Sequence, residues 1–190
     1  LRGSVCISQG EELGLTEAHV PFERLQDPYG ITFWPRFKGR DGCRTPMPWT
    51  SAPDGGFTNG TPWLPVDAEH LARSVRVQEQ DPDSVLNRFR AFMAWRRQQP
   101  ALVSGAIHLL PAPDPVFAFV RADASQGILA AFNLGTEPQS IDLPEHWPVC
   151  GPAFPDPGRA DAPGASRRLT LAPLEALFLH GDELGIRVTC

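Results

Sequence analysis

The sequence has little positive charge and no long apolar run. Its 190 residues carry 17 Lys and Arg against 22 Asp and Glu, which gives a formal net charge of −5, and Lys38 is its single lysine. Because phosphate recognition requires a basic surface, nucleic acid is not expected as a partner. No stretch reaches the roughly 18 consecutive apolar residues that a membrane span needs, so a membrane is not expected as a partner either.

Recognisable signals for secretion and for metal binding are also lacking. Residues 1–6 show no charged segment followed by a long apolar one, which predicts no signal peptide. The four cysteines lie far apart, without a C-x-x-C pair or a histidine at ligand spacing, so a zinc site is not expected. No metal ligand is predicted in this chain and no cofactor is expected, while the metal dependence of a complete protein stays open. Free thiols are favoured over disulfides. The cysteines are Cys6, Cys43, Cys150 and Cys190.

Proline and glycine are abundant, and they indicate long ordered loops and short strands. There are 21 Pro and 17 Gly residues. The apolar run Val5–Ile7 predicts a buried strand, with Cys6 as a small buried side chain. From Gly10 to about Pro65 neither strand nor helix periodicity persists, but the many aromatic residues of this stretch favour an ordered, packed loop. Loops of this length are usually either functional or disordered.

Two helices are predicted after this loop. Asp67 is a suitable N-cap for a short helix over residues 67–74. Asp81 is the predicted cap of a second helix, with Pro82 at its first position and a stop at Pro100. Apolar residues recur at helical spacing on one face of this second helix, at Val85, Phe89, Phe92 and Met93.

The residue pattern changes after Pro100, where short apolar runs alternate with turn residues. This pattern predicts a small antiparallel β-sandwich over residues 105–190, and a first domain over residues 1–104. The predicted strands are Ile107–Leu110, Val116–Val120, Ile128–Phe132, Ser140–Leu143, Arg168–Leu171 and Ala176–Leu179.

Three segments of the first domain resemble one family of enzymes. They are QGEELGL at residues 9–15, LQDPYGI at residues 25–31 and GRDGCRTPMPW at residues 39–49. Together they resemble the α-amylase superfamily of glycoside hydrolases (glycoside hydrolase family 13), and within it the bacterial α-glucosidases related to oligo-1,6-glucosidase. Residues 75–103 resemble the last barrel helix of that family, and the remainder resembles its C-terminal β-sandwich.

The resemblance implies an α/β part followed by an all-β part. Residues 1–104 would be the C-terminal portion of the catalytic TIM barrel, a (β/α)8 fold, with its eighth strand, long loop and last helix. Residues 105–190 would be the β-sandwich domain. The N-terminal portion of the barrel would then be a missing partner, and an α-glucoside oligosaccharide or disaccharide would be the substrate. The implied location is the bacterial cytoplasm, with the periplasm as the alternative.

No catalytic residue is expected in this chain. In the family, an Asp nucleophile and a Glu acid/base release terminal α-linked glucose with retention, and their motifs do not occur here. Retention requires two carboxyl groups about 5 Å apart. Glu11 and Glu12 are poor substitutes, because neighbours on a strand point to opposite faces. We therefore expect the chain alone to be inactive.

One substrate-binding residue follows from the resemblance. In the family, the second Arg of the R-D-x-x-R-T-P-M segment binds the terminal glucose while pairing with an Asp, and that position is Arg44 here. A planar, always charged guanidinium suits both contacts. The further candidates, for the leaving-group side, are Glu23, Asp27 and Tyr29. The residues expected to be structural around the pocket are Glu12, Arg40 and Asp41.

Two other classes of function are compatible with the same residues. The chain could be a non-catalytic amylase-like fragment, or an accessory subunit that assists folding or contacts carbohydrate. Among enzymes, relatives that transfer glucose or isomerise sucrose or maltose are the alternatives, because the loops that set this choice lie outside the chain. Upstream Asp, Glu and Asn-His-Asp motifs would favour an enzyme.

Overall fold

A computed structural model describes residues 2–143, residue 154 and residues 168–181. The predictions for Cys150, Cys190 and most of the loop at residues 151–165 lie outside the described residues. The chain divides into two compact units, Val5–Ala91 and a second one that begins at Phe92 and includes the first few residues. The predicted domain boundary at residues 104 and 105 stays a prediction.

The first unit consists of loops and short helices. Its apolar side chains form two small clusters, one of Leu13, Met47 and Leu86 and the other of Val20, Leu25 and Leu64. Three one-turn 3-10 helices lie at Glu11–Leu13, Phe22–Arg24 and Asp41–Cys43. The α-helices that begin in this unit are α1 Pro28–Phe33, α2 Ala68–Leu71, α3 Val75–Glu79 and α4 Val85–Arg97.

The predicted strand at Val5–Ile7 is wrong for this structure. The segment has no strand conformation, Val5 and Ile7 are 65% and 39% exposed, and Cys6 is an exposed free thiol. A strand satisfies its backbone groups by pairing with a neighbour. Among the described residues, all strands lie after residue 105 and pair with one another, so Val5–Ile7 has no ladder to join.

The two predicted helices are present, with one change of cap. The Asp67 carboxylate accepts the N–H of Glu69 at 2.8 Å and caps α2 as predicted. At α4 the cap is Ser84, whose Oγ accepts the N–H of Asn87 at 3.2 Å, whereas Asp81 only closes the preceding turn. The apolar face is also shifted, because Val85 is half exposed and Leu86 is the buried residue of the first turn.

The second unit contains the six predicted strands. They form a four-stranded antiparallel sheet in the order β1-β2-β3-β6 and an antiparallel pair β4-β5. A short helix, α5 Pro100–Val103, precedes them. The strands are β1 Ala106–Leu110, β2 Val116–Ala122, β3 Gly127–Asn133, β4 Gln139–Asp142, β5 Arg168–Leu171 and β6 Ala176–Gly181.

The central strands β2 and β3 of the four-stranded sheet are largely buried on both faces. Leu129 and Ala131 of β3 point to the face where Ile141 and Leu171 of the β4-β5 pair contribute to the same cluster. The intervening residues point to the other face, where aromatic side chains of α4 pack. Burial on both sides explains why β2 and β3 are nearly continuous apolar runs rather than alternating ones.

Candidate functional site

A fully buried carboxylate organises the long loop of the first unit. Asp41 opens the 3-10 helix Asp41–Cys43 and is 0% exposed. One of its oxygens accepts the backbone N–H groups of Gln26 and Asp27, at 2.6 and 2.8 Å. The other accepts a guanidinium N–H of Arg44 at 2.7 Å. The Asp41 carboxylate thus links the RDGCRTP motif to the LQDPYGI motif through charge-assisted hydrogen bonds.

Asp27 is a second buried carboxylate in the same network. It caps α1 by accepting the N–H of Tyr29 at 3.0 Å, and it accepts the N–H of Arg40 at 2.8 Å. The hydrogen bond from Arg40 is the main cause that lowers the pKa of Asp27, helped by Tyr29 and by the charge of Arg44 and opposed by burial. The carboxyl group is therefore ionised at neutral pH and is unsuited to act as a general acid.

Glycine allows these segments to approach closely. Gly39 has φ +78°, and a Cβ there would lie 2.9 Å from the Asp27 carboxylate. A Cβ at Gly30 would lie 2.6 Å from the carbonyl oxygen of Lys38. Both positions therefore need glycine, the first because of its left-handed backbone as well as the contact.

Arg44 connects the buried carboxylates to the surface. Its Nη2 binds Asp41 and lies 3.6 Å from Asp27, yet its side chain is 44% exposed. Its Cζ lies 5.6 Å from the ring centroid of Trp63, a side chain that is 61% exposed. A guanidinium has five N–H donors, and the contacts above use those on Nη2 only. The remaining donors can bind a hydroxyl or carboxylate ligand.

The other predicted site residues are not part of this network through their side chains. Glu12 accepts the N–H of Gly10 at 2.9 Å, within its own turn. The Tyr29 ring is exposed and stacks on Phe33 with a centroid distance of 6.1 Å. Glu23 is exposed, and Arg40 contributes its backbone N–H. The structure thus brings together Asp27, Asp41 and Arg44.

Sequence reasoning missed Trp63. It is a single aromatic residue between Pro62 and Leu64, outside any helix or strand pattern. Its contact with Arg44 depends on how the loop folds, so no local periodicity signals it. The signal that could have identified Trp63 as a site residue was a tryptophan next to a proline in an aromatic-rich loop.

A separate cavity of about 190 Å³ lies in the same unit. Its lining includes Gln9, Glu17, Thr45 and His70 but none of the three residues of the charged network. His70 is buried, and its Nε2 lies 2.9 Å from the carbonyl oxygen of Thr16. Within the described ranges, no cluster of three His, Cys, Asp or Glu side chains is arranged to hold a metal ion.

Comparison with known proteins identifies the family. The sequence model of the alpha amylase catalytic domain matches residues 1–105, and this match includes the whole charged network. The chain belongs to the alpha-amylase family. The resemblance of the three motifs is thereby confirmed, and solved structures similar to the chain are TIM-barrel enzymes of this family.

Family members similar to the chain carry glucosidase and transferase names. The "Probable alpha-glucosidase" of Rhizobium meliloti is 52% identical over 144 residues, which are 76% of the chain and 26% of that protein. The "Probable oligo-1,6-glucosidase 2" of Bacillus subtilis is 34% identical over 174 residues, 80% of the chain and 30% of that protein. The alpha-glucosyl transfer enzyme XgtA is 50% identical with a TM-score of 0.83, over 95% of the chain and 33% of that structure. The chain thus spans about a quarter to a third of these family members.

No helix in the part of the chain that the structure describes is both long and apolar enough to cross a membrane.

Proposed function

We propose that the chain is the C-terminal portion of a retaining α-glucosidase that releases terminal α-linked glucose from oligosaccharides or disaccharides. The observation that carries this proposal is the Arg44 guanidinium, which is anchored by two buried carboxylates through Nη2 and, among the described residues, keeps its other donors free at the surface. A sugar hydroxyl is a suitable acceptor for those donors. The 52% identity to a probable alpha-glucosidase across this region supports the choice of substrate class.

In this proposal the chain does not supply the catalytic carboxylates. Asp27 and Asp41 are the two carboxylates beside Arg44, and both are occupied by backbone N–H groups. A retaining mechanism needs one carboxyl group that attacks carbon and one that donates a proton. Neither group is available for these steps, so the pair belongs to a preceding barrel portion. Arg44 would bind the terminal glucose and block longer chains beyond it.

The fold that we propose for the complete protein follows the same division. Residues 1–104 would provide the eighth strand, the long loop and the last helix of a (β/α)8 barrel, and residues 105–190 a β-sandwich. The exposed β-branched side chains of Val5 and Ile7 support a strand that is buried only when neighbouring barrel strands are present. The six antiparallel strands in two sheets with a shared apolar cluster support the sandwich.

Glucosyl transfer is the second candidate function. The alpha-glucosyl transfer enzyme XgtA is 50% identical to the chain, nearly as similar as the probable alpha-glucosidase. Arg44 would bind the donor glucose in either reaction. Hydrolysis and transfer differ in whether water or a second sugar accepts that glucose, which is decided outside the Arg44 network.

The test is release of p-nitrophenol from p-nitrophenyl α-glucoside by the 190-residue chain and by the complete product of its gene. We expect activity in the complete product and none in the chain. Adding maltose as an acceptor and separating the products distinguishes transfer from hydrolysis. Activity in the purified chain would overturn our placement of the catalytic carboxylates, and an inactive complete product would overturn the glucosidase proposal.

A further inference from the structure

Trp63 is a large aromatic side chain whose position is not explained by core packing. It is 61% exposed and belongs to none of the apolar clusters formed by the described residues. Its neighbour Leu64 is 1% exposed and packs with Val20 and Leu25, so the backbone beside the indole is firmly held. The contact that the ring does make is with the Arg44 guanidinium, 5.6 Å from its centroid.

The carboxylates alone leave the guanidinium incompletely fixed. Asp41 and Asp27 both approach Arg44 at Nη2, so they hold one corner of the planar group. Rotation about that corner would redirect the free N–H groups. An aromatic face within about 6 Å attracts a guanidinium and can restrain its plane. Trp63 provides such a face, with its ring centroid 5.6 Å from the Arg44 Cζ.

We propose that Trp63 is a positioning residue of the sugar-binding site, whose indole face holds the Arg44 plane in the orientation that binds terminal glucose. This inference rests on the proposed function for its ligand, but the contact itself can be tested without it. Trp63 acts through Arg44 and has no direct role in the chemistry. A direct stacking role on the sugar is the competing outcome that the experiment separates.

The first measurement tests the contact in the 190-residue chain. The NMR signal of the Arg44 Nε–H group, identified by its loss in Arg44→Lys, should show an upfield shift caused by the ring. We expect Trp63→Leu to remove this shift and Trp63→Phe to retain part of it. The matched control is Trp49→Leu, because Trp49 is 50% exposed in the same unit and the described contacts do not pair it with Arg44. An Arg44 signal that Trp63→Leu leaves unmoved would overturn the proposal.

The second measurement is a double-mutant cycle in the complete gene product. Trp63→Leu should raise KM for p-nitrophenyl α-glucoside about two- to fivefold, the range expected for an exposed cation–π contact. Trp63→Phe should recover most of this loss, and Trp63→Leu should add no further loss in an Arg44→Lys background. A loss that persists in that background would mean direct contact with sugar and would refute positioning. An inactive complete product would refute the proposed function, while the NMR result would still decide whether Trp63 holds Arg44.

Discussion

At the scale of single residues, the two charged side chains Asp41 and Arg44 differ in their exposure to solvent. Asp41 is fully buried and accepts three hydrogen bonds, whereas Arg44 is nearly half exposed and uses only Nη2 in its hydrogen bonds and ion pairs with the described residues. A buried carboxylate is tolerated only when donors satisfy it. Asp41 therefore needs its three donors, and it holds the Nη2 corner of the Arg44 guanidinium.

Asp41→Asn should destabilise the folded chain. The amide nitrogen would face backbone N–H donors or Arg44, leaving a buried group unsatisfied at a cost of about 1–3 kcal/mol. The measurement is the free energy of unfolding in urea, with Glu23→Gln as the control because Glu23 is exposed. The control should change the free energy by less than about 0.5 kcal/mol. Equal effects of the two substitutions would contradict the role given to Asp41.

Asp27 should make folding stability depend on acidity. Its pKa lies below the ordinary value of 3.8, chiefly because the N–H of Arg40 donates to it. A carboxyl group whose pKa is lowered by folding contributes its stability above 3.8, and this contribution is lost as the pH falls through the lower folded pKa. The difference in denaturation midpoint between the parent and Asp27→Asn should be constant above about pH 5 and shrink below about pH 4. A pH-independent difference would disprove this linkage.

The site was only partly predictable from single residues. Arg44 was identifiable because its motif is long and specific, and the same motif placed Asp41 near it. The structure adds Asp27 to this network, a residue that the sequence placed on the leaving-group side, where its role stays a prediction. Trp63 was missed because its contact with Arg44 is a tertiary one that leaves no pattern in the surrounding sequence.

At the scale of elements, the sequence signal at the start of helix α4 places the N-cap about one helical turn too early, at Asp81 instead of Ser84. Asp-Pro-Asp-Ser is a strong start signal, and Asp81 suits a cap as well as Ser84 does. Ser84 becomes the cap because its Oγ also donates a buried hydrogen bond to the carbonyl oxygen of Gln78, at 2.7 Å. Asp81 has no such buried partner and only closes a turn.

Ser84→Ala should therefore cost more stability than Asp81→Ala. Loss of a helix cap costs about 1 kcal/mol, and Ser84 loses a second hydrogen bond to a buried carbonyl as well. Thermal unfolding of the two variants gives the comparison directly. A larger loss of stability in Asp81→Ala than in Ser84→Ala would contradict this assignment and favour Asp81 as the cap, as the sequence predicted.

Strands were predictable where pairing partners lie within the described chain. All six runs after Pro100 became strands, and each of them pairs with another of the six. Val5–Ile7 has the same β-branched character but formed no strand. In the proposed barrel this segment pairs with strands outside the described residues, and composition alone cannot reveal whether such partners are present.

At the scale of the whole molecule, protection of the backbone should differ sharply between strand β3 and the first residues of the chain. Strand β3 is paired on both edges, to β2 and β6, and its side chains are mostly buried. Residues 2–8 are exposed and unpaired in any strand of the described chain. Amide hydrogen exchange should be slow in β3 and fast in residues 2–8. Comparable protection at both places would show that something covers the first residues.

The most direct test of the central claim is the loss of activity on removing the Arg44 guanidinium from the complete gene product. We predict that Arg44→Met lowers kcat/KM for p-nitrophenyl α-glucoside about 10- to 100-fold, as expected for losing charged hydrogen bonds to substrate. The matched control is Arg36→Met, an exposed arginine of the same loop, which should stay within about twofold of the parent. Equal activity of the two variants would contradict the assignment of Arg44 as the sugar-binding residue.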